Sequence, residues 1–371
     1  MSRTGKGTGP IRPDRSKNRP RAKRELRQLP RSATVLNTLG KIVDLDPGWV
    51  QVLPINPIPR ILGHGDAASK QALLSLIEPK NIEALKEERR SLNRFALYNR
   101  NVKRILDKQR RDGDWPVKAT DEPKGVRRKL ELLALIENLS ALYQAGAKSS
   151  WPGVGDGIRA LIAHQQPDGR FPLLYHHHAA IGSLLIGLGL VRNPAVHKAA
   201  HWIAERQRAD GGWLHRQWGG DDERKPSCIW TTAEVLFFLS RYQTSAIMDQ
   251  LAPASEFLLE HALQENHTTL LPEAHNWDIL ATGYEGTQLF HGGTLKVLHG
   301  ASRSGFNPSD KRFKKLYSWL LGTQLDNGLF PRVNGKDEAG DNGVTVSVLE
   351  LVRRVESSRP AETEESLASE S

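Results

Sequence analysis

The stretch QRADGGW, Gln207 to Trp213, decides the fold. Alone it reads as a helix ending: glycine takes the left-handed conformation that stops a helix, and aspartate bends the turn by accepting from backbone N–H groups. The same arrangement recurs as QRRDGDW (Gln109–Trp115), QQPDGRF (Gln165–Phe171) and QLDNGLF (Gln324–Phe330). In all four, a glutamine stands three residues before Asp112, Asp168, Asp210 or Asn327, and an aromatic three residues after. The gaps are 56, 42 and 117 residues, and a degenerate copy, QENHTTL (Gln264–Leu270), divides the last into 57 and 60. A period of this length marks a repeat architecture, in which each unit buries its apolar face only against its neighbours.

The flanks of each motif differ in a regular way. Before it comes a helix with one apolar stripe, as in AVHKAAHWIAERQ (Val196, Ala200, Ile203) and DKRFKKLYSWLLGTQ (Phe313, Leu316, Leu320). After it comes a helix apolar nearly all round, as in CIWTTAEVLFFLSRY and HHHAAIGSLLIGLGL, with GGTLKVLHGA similar in its first turns. A one-striped helix faces solvent and an all-apolar one is buried. Each unit is therefore an outer helix, a tight turn and an inner helix. The glutamine is expected to bond the next unit's exposed backbone, and the aromatic to pack across the gap. DAASKQALLSLIE (Asp66–Glu78) supplies a sixth inner helix, and the helical stretch Asn81–Gln109 contains the first outer one. The expected fold is all-α, an (α/α)6 toroid over residues 33–355, with an open solenoid as the alternative.

The 371 residues, 38% hydrophobic, suffice for a sizeable core. The net charge of +10 lies mostly in the ends: residues 1–32 carry +9 and residues 356–371 carry −4. The first segment is too poor in apolar residues to order itself, so it is expected to be a disordered basic tail able to touch polyanions without sequence preference, and the last an acidic one. No apolar run reaches the roughly 20 residues that a bilayer requires. With a single cysteine, Cys228, these features point to a soluble cytoplasmic protein without intrachain disulfides.

The Gln-x-x-Asp-Gly-x-Trp motif between alternating outer and inner helices resembles the prenyltransferase and squalene-cyclase repeat superfamily, over roughly residues 66–355. That resemblance implies an (α/α)6 toroid and an isoprenoid, or another hydrophobic small molecule, in its central cavity. Cyclases of the family protonate an alkene from an Asp-x-Asp-Asp motif. Here DLDP (Asp44–Pro47) lacks the final pair, and Asp221–Asp222 lacks the earlier aspartate. Protein prenyltransferases of the family hold zinc with Asp, Cys and His. Cys228 begins one inner helix and His291 the next, but Pro226 stands where the aspartate is expected, leaving Asp222 or Asp278 as third ligand. Asp222, Asp278 and His291 are thus the candidate catalytic residues, and Cys228, His291 and Asp222 the candidate zinc set. Between motifs and inner helices lie Tyr175, His177, His178, Trp230, His275, Trp277, Tyr284 and Phe290, which a toroid would gather at one mouth of the cavity. Aromatic faces there suit an isoprenoid chain or carbocation. The alternative function is a non-catalytic scaffold for a hydrophobic ligand or a protein partner.

Overall fold

The structure, a computed structural model, describes residues 30–117, 123–215, 226–264, 276–285, 288–289 and 293–358. Among the described residues the regular elements are helices, apart from a short antiparallel ladder, β1 (Tyr284–Glu285) with β2 (Gln288–Leu289). Helix α1 (Pro30–Gly40) and a 3-10 turn (Gly48–Val52) lead in. Six hairpins follow, each of an outer and an inner helix. The first is α2 (Ile58–His64) with α3 (Ala67–Leu73). In the second, α4 (Ile82–Leu97) and α5 (Arg100–Leu106) precede the long inner helix α6 (Lys124–Gln144). The remaining pairs are α7 (Pro152–Ala163) with α8 (Tyr175–Gly187), α9 (Pro194–Ala204) with α10 (Ile229–Tyr242), α11 (Met248–Glu260) with α12 (Thr294–Arg303), and α13 (Lys311–Leu321) with α14 (Asn342–Ser357).

Amphipathicity sorts the layers. In α13, Phe313, Leu316, Tyr317 and Leu320 are buried while the lysines face out. In α10 every residue but Arg241 is buried, as an all-apolar helix in an inner ring must be. Inner helices α6, α8, α10, α12, α14 and α3 pack in succession. The circle closes where Gly146, just past α6, passes so near α3 that a Cβ built on it would lie 3.2 Å from Ala68 Cβ.

The motif joins one hairpin to the next. Gln109 Nε2 donates to Gly113 O within its own turn and to Gly153 O at the start of α7. Gln165 repeats this with Gly169 O and Ala195 O, and Gln207 with Gly211 O and Gln250 O. Each motif glycine has φ between +86° and +96° in these three copies, and a Cβ there would run into a backbone carbonyl of the next outer helix. Only glycine tolerates both conditions. The aspartates accept from the backbone two residues on, as Asp168 Oδ1 does from Arg170 N. Trp115 and Trp213 donate their indole N–H to Ile105 O and Ile203 O of the preceding outer helix and are buried with Phe171 and Phe330.

The last motif closes the ring. Gln324 Nε2 donates to Ile55 O (2.7 Å), and Gln324 Oε1 accepts from Ile55 N (3.1 Å), 269 residues earlier. Ile55 precedes α2, so the sixth hairpin is stapled to the first as the second is to the third, the third to the fourth and the fourth to the fifth. This makes the fold a closed toroid and excludes the open solenoid.

Three expectations need correction. The stretch 81–109 is two helices, because Asn99 caps a new one by accepting from Asn101 N. Helix α2 escaped notice: seven residues beginning IPR, with a proline at the second position, carry too short a pattern to stand out. In the fifth copy, Gln264 is exposed, and among the described residues its side chain donates to Glu260 O at the end of the preceding helix. Its glycine slot is Thr268, so the sequence does not offer the left-handed turn; residues 265–270 lie outside the described residues. Among the described residues no helix is long and apolar enough to cross a membrane.

Candidate functional site

The inner helices enclose a cavity of about 900 Å³, within the 300–1,000 Å³ typical of small-molecule sites. All six contribute to its wall. One part is apolar: Ala180, Leu184 and Leu188 from α8 and its end, Phe237 from α10, Val344 and Val346 from α14. The other carries charge and hydrogen-bonding groups, chiefly Glu234 and Arg241 of α10, His299 and Arg303 of α12, and Ser347 and Glu350 of α14. Glu234, His299 and Ser347 are each the sixth residue of their helix, and α10, α12 and α14 pack in succession, which sets these groups at one level.

Glu234 forms an ion pair of 2.6 Å with Lys296 of α12, both fully buried. Burial lowers the proton affinity of the Lys296 ammonium, while Glu234 opposes the shift. His299 Nε2 lies 3.1 Å from Ser347 O and 3.0 Å from Ser347 Oγ, and the Phe237 ring stands edge-on to the imidazole. Burial pushes its pKa down to about 3, so His299 is neutral. Arg303 Nη2 lies 2.7 Å from Glu350 Oε1, and Arg354 Nη2 3.2 Å from the same oxygen. Burial alone would raise the pKa of Glu350, but His299 once protonated, together with Arg303 and Arg354, brings it to about 2. Arg241 donates to Ser183 O (3.0 Å) and lies over the Phe237 ring.

The described residues among those singled out by sequence lie elsewhere. His178 is fully buried, accepting from Phe171 N and bonding Ala199 O of α9, with its ring against Trp202. Tyr175 meets Trp202 edge-on. Both therefore fasten α8 to the outer layer. His177 is half-buried beside His176, and burial with the charge of His215 lowers its pKa to about 4. Trp230 and Trp277 do come together, edge to face at 5.1 Å, and Trp277 O accepts from Thr294 Oγ1 at the start of α12. Asp278 accepts from Asn334 through both its side chain and its backbone carbonyl. Cys228 is buried at the start of α10, its N–H bonded to Trp213 O. None of these lines the cavity. Asp222, His275, Phe290 and His291 lie outside the described residues, as does the side chain of Tyr284.

Zinc needs three or four ligands converging within about 2.0–2.3 Å of one point. Among the described residues no three His, Cys, Asp or Glu side chains stand together in that way. Of the candidate zinc set only Cys228 is among the described residues. What sequence reasoning missed, Glu234, Arg241, Lys296, His299, Arg303 and Glu350, left one signal: charged residues and a histidine inside helices otherwise apolar all round.

Several solved structures are similar to this chain. A protein from Actinoplanes is 15% identical, with 78% of this chain and 89% of that chain covered and a TM-score of 0.42. The type II terpene cyclase MstE from Scytonema, in its apo form, is 13% identical over 78% of this chain and 87% of that one, TM-score 0.40. A variant of MstE in complex with geranylgeranyl dihydroxybenzoate, its substrate, is 13% identical over 78% and 86%, TM-score 0.41. The chain is similar in fold to type II terpene cyclases. No protein-family model matches it, and no curated protein does. The toroid itself rests on the staples and inner-ring contacts of this chain alone.

Proposed function

We propose that the protein is a toroid that binds one small, largely apolar molecule of the isoprenoid class in its central cavity, and that it binds this ligand without protonating it. The observation that carries this reading is the state of the two glutamates on the wall. Glu234 is tied to Lys296 at 2.6 Å, and Glu350 is held as a carboxylate by Arg303 and Arg354, with a pKa of about 2. An acid that starts alkene cyclisation must hold its proton near neutral pH, as a carboxyl in an apolar pocket does. Both glutamates have cationic partners instead. The apolar wall from Ala180 to Leu188, with Phe237, Val344 and Val346, supplies the surface for a hydrocarbon chain. The motif resemblance gives the chemical class of that chain.

Native mass spectrometry of the full chain with farnesol and geranylgeraniol tests the reading, with thermal denaturation in parallel. One ligand per chain is expected. At 100 times the dissociation constant, binding should stabilise the fold by about 2.7 kcal/mol. If neither alcohol binds, the reading is wrong. A protein-docking scaffold would then be favoured by the exposed Phe95, Leu97 and Tyr98 at the end of α4, which are 68%, 48% and 80% accessible.

A further inference from the structure

The cavity wall holds more positive charge than its own carboxylates neutralise. Among the described residues, four cationic side chains line it (Lys148, Arg241, Arg303 and Arg332) against four carboxylates (Asp66, Glu234, Asp341 and Glu350). Lys296 and Arg354 stand directly behind two of those carboxylates, which leaves two positive charges in excess. The carboxylates are also committed elsewhere. Asp66 and Asp341 cap α3 and α14 by accepting from Ser69 N and Val344 N, and Glu234 is spent on Lys296.

The excess gathers at Glu350. Its carboxylate meets Arg303 and Arg354, and Arg241 stands near enough to oppose protonation of Arg303. His299, the remaining titratable group there, is neutral and adds nothing to the balance. Two guanidiniums thus meet one carboxylate, and a third, Arg241, lines the same wall. Part of the imbalance is met by helix carbonyls, since Arg241 donates to Ser183 O and Arg303 Nη1 reaches His299 O at 3.4 Å. A neutral carbonyl offsets a fraction of a charge, comparable to the half charge of a helix C-terminus. The Arg303 side chain is 11% exposed, and burial with the charge of Arg354 lowers its pKa to about 10. Arginine in water holds its proton well above that. An anion entering the cavity would remove this repulsion.

We propose that the cavity holds the anionic end of its ligand, a carboxylate or phosphate group of charge −1 or −2, against the guanidiniums of Arg241 and Arg303 in the last turns of α10 and α12. The two groups sit on adjacent inner helices and both reach the wall. A planar guanidinium offers paired N–H donors to an oxyanion, which gives direction as well as attraction. The Phe237 ring beneath Arg241 and the nearby Leu184 mark where the apolar remainder of the ligand begins. The ligand is then an amphipathic anion that enters with its chain along the apolar wall. This rests on the chain-binding reading above only for the identity of the chain.

The test is titration calorimetry of the full protein with farnesol, farnesoic acid and farnesyl monophosphate at low and high salt. Inorganic phosphate alone is added in a thermal-shift arm. The acid or the phosphate should bind at least about 10-fold more tightly than the alcohol at low salt, and the advantage should shrink as salt screens the pair. The better of the two identifies which oxyanion the site takes. Arg241→Gln should weaken the acid and the phosphate at least about 10-fold more than it weakens farnesol, and Arg241→Lys should restore part of the difference. Circular dichroism of each variant shows that it is folded. Equal binding of alcohol and anions overturns the proposal, as does an equal loss for all three ligands in Arg241→Gln. If no chain-bearing ligand binds, but phosphate still stabilises the wild type and not Arg241→Gln, the isoprenoid reading fails and the anion site stands. If phosphate has no effect either, both fail.

Discussion

Replacing Gln324 with alanine cuts the seam of the ring. The side chain makes three hydrogen bonds there: Nε2 to Ile55 O at 2.7 Å, Nε2 to Gly328 O at 2.8 Å, and Oε1 from Ile55 N at 3.1 Å. At a net 0.5–1.5 kcal/mol each, their loss costs about 3 kcal/mol. The Ile55 N–H and C=O are half-buried, so water compensates only in part. Gln207→Ala removes two such bonds and should cost about 2 kcal/mol. Gln264→Ala is the control: among the described residues its exposed amide reaches Glu260 O at the end of the preceding helix, and surface changes of this kind stay within about 0.5 kcal/mol. Guanidinium unfolding of the full chain gives the three stabilities. Amide exchange then locates the damage, since the Ile55 N–H loses its acceptor only in Gln324→Ala. The reasoning is refuted if Gln324→Ala is no worse than Gln264→Ala, or if Ile55 exchange is unchanged.

Gly169→Ala and Gly189→Ala share the left-handed backbone, φ +96° and +88°, but differ in space: a Cβ at 169 lies 2.5 Å from Lys198 O, while at 189 nothing lies within 4 Å. Both should lose the ~1 kcal/mol of strain, with Gly169→Ala at least about 2 kcal/mol worse by thermal denaturation. Lys296→Met strands Glu234 in the core and should cost about 3–5 kcal/mol, much of it recovered by Lys296→Met with Glu234→Gln, again by denaturation. The folded-state pKa of His299 is about 3 and that of His178 about 4, both below the unfolded 6.5, so the unfolded chain binds more protons as pH falls. Each histidine should therefore withdraw about 2 kcal/mol of stability between neutrality and pH of about 5, and melting temperature against pH should flatten in His299→Gln.

The ring was legible because its joints are local. Gln207, Asp210, Gly211 and Trp213 act within one turn and one neighbouring helix, so their spacing survives as a readable pattern. The joint at Gln264 shows the limit of that signal: the glutamine is in register, yet it has no glycine beside it, and among the described residues its amide donates to Glu260 O rather than across to the next hairpin. The cavity was less legible. Arg241, Arg303 and Glu350 lie in three separate repeats and meet only because adjacent inner helices bring the same level of each together. His178 misled for a related reason. A histidine at the start of an inner helix can face the cavity or the outer layer, and helical phase turned it to Ala199 and Trp202.

Closure of the toroid is tested most directly by a cross-link. A Cβ built at Gly328 lies 3.7 Å from Ile55 Cβ, within the 3.5–4.5 Å that a disulfide spans. The pair Ile55→Cys and Gly328→Cys, in a Cys228→Ser background, should oxidise to a monomeric disulfide seen as a faster-migrating band on a non-reducing gel. Tying residues this far apart should stabilise the fold by about 5–6 kcal/mol in the chain-entropy estimate, less about 1–2 kcal/mol for a side chain at φ +85°. A folded double variant whose thiols stay free, or pair only between chains, would contradict a closed ring.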